Sequence, residues 1–242
     1  MSSRLLGIHV LLIATAGIVA GCAREPGASC RARTGAGQSD RFRYIDELGS
    51  TSRVEHTKGP SGVEAIHGVT EIVSSQGRTT HIEERARLDS SGRLSWAEIS
   101  GAGVGTSALD RVIFDAAAGL VRIDRAGQTL EWEVPTGEPW AYPAPLDQEG
   151  RPVVTPVTAW ITLRATLASP DVRVLYPDAQ RTEVVPRDQL AVPTELGTTV
   201  IIGDDGADMD TSGFVERVRV ASLGTTLAVT TAPLEVLGLP CR

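Results

Sequence analysis

Asp208, Asp210, Ser212 and Glu216 are the side chains of this sequence best spaced for a chemical task. In the stretch from Gly203 to Gly213, GDDGADMDTSG, oxygen-bearing side chains fall at alternate positions and a glycine follows. That is how a calcium loop opens, because a hard cation takes oxygen ligands and glycine makes the sharp turn. The match then lapses: the twelfth position is Arg219, where a bidentate glutamate belongs, and the flanks read as strands. Glu216 is left to donate a further oxygen, and calcium is the one cofactor these residues suggest. The other reading of the same stretch is a solvated acidic hairpin loop.

His56, His67 and His81 are the histidines beyond the N-terminal segment, and His81 stands two residues before Glu83, on the same face of a strand. Zinc requires three or four converging ligands, and neither HExxH nor CxxC spacing occurs. Gly101 to Ser107, GAGVGTS, has glycines but neither the lysine nor the following helix of a phosphate loop, so it reads as a connection between strands. A GxSxG elbow is absent too, and no catalytic set emerges. Trp140 and Tyr142, in EPWAYPAP, either line an apolar pocket and contact a ligand or partner, or serve as core aromatics beside prolines.

The elements that must position these residues are mostly strands. Leu130, Trp132 and Val134 alternate with Glu131 and Glu133, a period of two that puts apolar side chains on one face and carboxylates on the other. THIEERARLD, RLSWAEIS, DRVIFD and LVRID behave alike. Between them lie Asp89-Ser90-Ser91-Gly92, Asp115 to Gly119 and Asp124 to Gly127, where Asp starts a tight turn and Gly supplies the positive φ at its end. An antiparallel meander from about Val63 to Val134 follows. After the proline-rich connection Val134 to Pro156, the stretch TPVTAWITLRATLAS predicts one helix. Thr155 is its cap, Pro156 lies in its first turn, and Val157, Trp160, Ile161, Leu163 and Leu167 form an apolar stripe that Arg164 interrupts. DVRVLYP, RTEVVP, TTVIIG, FVERVRVASL and TLAVTTA then read as further strands. The expected fold is mainly β: an antiparallel meander forming a curved sheet or half-barrel, with one short helix covering it.

The N-terminal segment reads as an address. Arg4 is followed by an apolar run from Leu5 to Ala20, too short to span a bilayer, which takes roughly 20 apolar residues, and suited to a secretory signal. It ends in Val19-Ala20-Gly21-Cys22. This order resembles the lipobox of bacterial lipoproteins, and the resemblance implies cleavage before Cys22, acylation of its thiol and attachment to a membrane. Ala23 stands where an inner-membrane retention signal carries Asp, which in a Gram-negative cell implies the outer membrane, bordering the periplasm, with the leaflet left open. On this reading residues 1–21 are a signal peptide, 22–41 an acylated cysteine and flexible tether, and 42–242 a single β-rich domain. Once Cys22 is assigned to lipid, Cys30 and Cys241 remain as a disulfide candidate in an oxidising envelope. The bridge would contribute about 5 kcal/mol in the chain-entropy model; two free thiols are the alternative.

The net charge of −7 becomes −8 without residues 1–21, which carry Arg4 and no acid. A surface of that sign does not attract phosphate backbones, so nucleic acid is not an expected partner. The meander, crossing helix, further strands and tether are together similar to the layout of LolA/LolB-like envelope proteins, in which a half-barrel encloses acyl chains. That resemblance implies a non-catalytic envelope lipoprotein binding lipid or another hydrophobic ligand. The alternative is a structural or protein-interaction module of the cell envelope, and a carboxylate enzyme is the third reading.

Overall fold

The computed structural model describes residues 38–74, 77–102, 111–125, 127–143, 153–177, 179–211 and 213–229. Eight strands come first: β1 (Gln38–Ile45), β2 (Thr51–Lys58), β3 (Glu64–Val73), β4 (Thr79–Leu88), β5 (Leu94–Ala102), β6 (Arg111–Asp115), β7 (Leu120–Arg125) and β8 (Gln128–Glu133). Helix α1 (Pro156–Ala168) follows, then the hairpin β9 (Asp171–Tyr176) and β10 (Arg181–Pro186) and a four-residue helix α2 (Arg187–Leu190). The chain continues through β11 (Ala191–Thr194), β12 (Gly197–Ile202), β13 (Asp205–Asp210), β14 (Val215–Val220) and β15 (Thr225–Val229). β1 starts at Gln38, inside the expected tether, and α2 adds a second helix to the one expected.

Among the described residues one 13-stranded antiparallel sheet runs in the order β11-β12-β13-β14-β15-β1-β2-β3-β4-β5-β6-β7-β8. Two meanders are therefore joined by the pairing of β15 with β1, which sets Tyr44 opposite Val229. The sheet does not close, and its edges are blunted by Pro193 on β11 and by the exposed Glu131 and Glu133 on β8. The β9–β10 hairpin forms a separate two-stranded sheet. It is attached through a bridge in which the Ala141 N–H donates to the Arg173 carbonyl at 2.9 Å.

The turns form for the reasons their residues suggest. Asp89 Oδ1 accepts hydrogen bonds from the N–H groups of Ser91 (2.9 Å) and Arg93 (3.0 Å), and Gly92 takes φ = 81°, a conformation that disfavours any side chain. β4 and β5 are thereby fixed in register, with Glu84 opposite Ile99.

α1 packs against β2 and β3 on one side and β12, β13 and β14 on the other. From β12 to β3 is six inter-strand steps, about 29 Å across a flat sheet. A 13-residue helix is only about 20 Å long, so the sheet reaches both sides by curving around it. Burial is correspondingly all round: Val157, Thr158, Ala159, Ile161, Thr162, Leu163, Ala165 and Thr166 are all buried. This corrects the expected stripe. Trp160, Arg164 and Leu167 share the less buried side, with Leu167 74% exposed, so Arg164 does not interrupt an apolar face. Small alanines and threonines let the helix sink into the sheet.

One position shows how close that approach is. A Cβ on Gly68 of β3 would lie 2.5 Å from Val157 Cγ2, closer than two non-bonded carbons come. Glycine there is what lets the start of α1 rest on the strand backbone.

Candidate functional site

β1, β2 and β3 present alternate side chains to the concave face, and the first turns of α1 lie over them. Between them is a cavity of about 200 Å³. Phe42, Tyr44, Val54, Trp160, Phe214 and Val215 give it an apolar wall, and Asp40, His56 and Arg164 line its polar side. The Phe42 and Phe214 rings meet with centroids 4.8 Å apart, and the Tyr44 hydroxyl donates to the Val215 carbonyl at 3.0 Å. Burial of Tyr44 pushes its phenol well above the usual range, so it stays a neutral donor.

A polar network closes one end. Asp40 faces His56 across the β1–β2 pair, and Lys58 faces Glu64 across β2–β3. His56 Nε2 lies 3.0 Å from Glu64 Oε2, and its Nδ1 lies 3.8 Å from Asp40 Oδ2. The other oxygen of Glu64 is met by Arg164 at 3.0 Å and Lys58 at 3.5 Å. Trp160 stands edge-on to His56 with centroids 4.6 Å apart and lies under the Arg164 guanidinium at 4.8 Å. Glu64 is only 4% exposed, and burial alone would raise its carboxyl. The hydrogen bond to His56 and the charge of Arg164 outweigh that effect and hold it down at about 2. The side chains of Arg164 and Asp40 remain 33% and 29% exposed, so the polar end of the cavity reaches solvent.

Under the start of α1 lies a second acid, Glu84, which is fully buried. It occupies a row of inward positions with Val54, Gly68, Ile99 and Val112 as register neighbours. Its Oε1 accepts from the Thr155 hydroxyl at 2.9 Å and the Thr158 hydroxyl at 3.3 Å, while Oε2 has no hydrogen-bond partner. Burial pushes the carboxyl up to about 7 against the lowering effect of those hydroxyls. Thr155 is the helix cap and also accepts from the Thr158 N–H at 3.1 Å. From the other half of the sheet, Asp205 Oδ2 accepts from the Val154 N–H at 3.1 Å, and its Oδ1 from the Ala221 N–H at 2.9 Å. The entry to α1 is thus held by buried carboxyls of β4 and β13.

The expected site residues fall elsewhere. Residues 205–210 form strand β13, which places Asp208 and Asp210 on a strand. Asp208 Oδ1 accepts from the Thr199 hydroxyl at 2.9 Å, Asp210 Oδ1 accepts from the Phe214 N–H at 2.9 Å, and Glu216 points outward on β14. Ser212 lies outside the described residues, as do Cys22, Cys30 and Cys241. Among the described residues, no group of three or more His, Cys, Asp or Glu side chains is placed to hold a metal. The three histidines each meet an acid across a strand pair, so His81 faces Glu71 at 3.5 Å while Glu83 faces His67 at 3.1 Å. β5 ends at Ala102, inside GAGVGTS, whose remaining residues lie outside those described. Trp140 and Tyr142 are each 1% exposed, which makes them core residues and removes them as direct contacts for a partner. Trp140 packs edge-on against Phe114 at 4.9 Å.

The cavity residues of β1 and β2 went unmarked in the sequence because RFRY and RVEH alternate apolar or aromatic side chains with arginine and glutamate, over runs too short to stand out. The signal that was present is the alternation of Phe42 and Tyr44 with Arg41 and Arg43. No protein-family model, curated protein or solved structure matches the chain. Among the described residues, no helix is long and apolar enough to cross a membrane.

Proposed function

We propose that this protein is a lipid-anchored envelope lipoprotein of the outer membrane, tethered through acylated Cys22, that holds a hydrophobic ligand without transforming it. The observation that carries the reading is the cavity beneath α1, walled by Phe42, Tyr44, Val54, Trp160 and Phe214 and ending in the Glu64, His56 and Arg164 network. An apolar wall with a few convergent polar groups is the usual form of a small-molecule site. Its volume, about 200 Å³, lies below the roughly 300–1,000 Å³ of drug-sized sites. It therefore suits a single ring or the end of one chain, with the polar part of the ligand at Arg164 and Asp40.

Thermal unfolding with added toluene, a single-ring apolar probe, tests this, since a ligand of the folded state raises the melting temperature. Saturable binding is expected for the wild-type protein. Val54→Trp, which fills the cavity from β2, is expected to lose it while keeping the same far-ultraviolet circular dichroism. Equal binding by both proteins would place the ligand elsewhere. A second reading, an interaction module, draws on the exposed Leu167 and Leu196. Co-purification of a protein partner that Leu196→Ser removes would favour it.

A further inference from the structure

The opposite face of β1 to β3 carries a different chemistry. With Phe42, Tyr44 and Val54 directed to the cavity, the alternate residues Arg41, Arg43, Arg53 and Glu55 are directed outward. Arg41 is paired with Glu55 at 3.2 Å. Arg43 stands directly opposite Arg53 in the β1–β2 register, an arrangement of like charges that destabilises a sheet. Neither guanidinium has an ion-pair or hydrogen-bond partner among the described residues, and Arg43 Nε is shielded from water without one. Both line a cleft of about 530 Å³ together with Thr51, His67, Val69 and Glu71. The acids of that cleft are engaged, Glu55 by Arg41 and Glu71 by His81. Two cationic side chains are thus left as direct cross-strand neighbours lining one cleft, in a chain whose net charge is −7.

We propose that Arg43 and Arg53 form a clamp for a phosphate group. Guanidinium forks bind phosphate oxygens through paired N–H donors, and a doubly charged group between them converts their repulsion into attraction. The Thr51 hydroxyl at the same cleft is a further donor. Phosphate reaches such a site either as a free ion or small phosphomonoester, or as the headgroup of a lipid. The second source rests on the anchoring reading, since β1 begins 16 residues after Cys22. The clamp itself does not.

Thermal unfolding of the full chain in non-ionic detergent tests the proposal, with inorganic phosphate, dihexanoyl phosphatidic acid or phosphate-free dihexanoylglycerol added at matched ionic strength. The wild-type melting temperature is expected to rise saturably with a phosphate-bearing probe and not with dihexanoylglycerol. A rise with inorganic phosphate assigns the free ion, and a rise with phosphatidic acid alone assigns the headgroup. Arg53→Gln and Arg43→Gln are expected to melt higher than wild type without ligand, because the repulsion is gone. They are also expected to bind phosphate about tenfold more weakly or worse, the loss of a charge-assisted hydrogen bond. Arg122→Gln, on β7 and paired with Asp124, keeps the wild-type response. No response to either phosphate probe, or an undiminished response in Arg43→Gln and Arg53→Gln, overturns the clamp. Loss of the acyl group on Cys22 with the inorganic phosphate response intact would remove the tether and leave the clamp standing.

Discussion

Replacing Glu84 with Gln isolates the energetic role of the acid beneath α1. The carboxyl is fully buried, holds the hydroxyls of Thr155 and Thr158 on one oxygen, and titrates at about 7 instead of the ordinary 4.5. Below pH 4.5 it is protonated in both the folded and unfolded chain, and its contribution to stability is complete. As pH rises toward 7 the unfolded chain releases the proton and the folded chain retains it, so stability falls, and above 7 the loss is complete. Each unit of pKa difference is worth about 1.4 kcal/mol, which makes the total about 3 kcal/mol. Glutamine keeps the shape and an acceptor oxygen without the titration. Urea unfolding followed by circular dichroism from pH 5 to pH 9 reads the difference, provided the slope with denaturant is unchanged. The wild-type protein is expected to lose about 3 kcal/mol across that range. Glu84→Gln is expected to stay nearly level and to be the more stable protein at pH 9. Parallel pH profiles for the two proteins would refute the assignment of a buried, proton-retaining carboxyl at this position.

Glu64 acts in a different window: held down at about 2, it contributes stability above pH 4.5 that is lost as pH falls toward 2, and Glu64→Gln is expected to flatten that acid limb in the same urea assay. Gly68→Ala drives a methyl into Val157 and is expected to cost about 1–3 kcal/mol, with Val157→Ala in the same chain recovering much of the loss in a double-mutant cycle. Trp140→Ala empties a core site against Phe114 and is expected to cost about 3–5 kcal/mol, measured as a lower urea midpoint.

Much of the β framework is legible in the sequence because β3, β4, β6 and β7 bury alternate residues and each turn carries its own chemistry. β4 to β7 follow the alternation that THIEERARLD to LVRID displays, β8 forms where LEWEV alternates but as the edge strand leaves Leu130 exposed, and Thr155 and Pro156 open α1 where capping residues place them. The burial of α1 is not legible. A helix engulfed by a curved sheet has no solvent face to contrast with a core face, so the positions of Trp160 and Leu167 can only be known once the sheet is seen to wrap around it. The acidic stretch reads two ways for a related reason: Ala207 and Met209 alternate with Asp208 and Asp210, so the spacing of calcium ligands is also the spacing of a strand. Glu84 is one acid among several in EERARL, and only the register that sets it beside Gly68 and under Thr155 distinguishes it from Glu83, which faces solvent.

The native mass of the protein purified from membranes without added lipid measures the central claim most directly. Two features are predicted: a first residue, Cys22, carrying covalent acyl mass, and a separate apolar ligand that dissociates on activation and is missing from Val54→Trp. A mature chain beginning at another residue, or a wild-type spectrum with no dissociable ligand, would contradict the account.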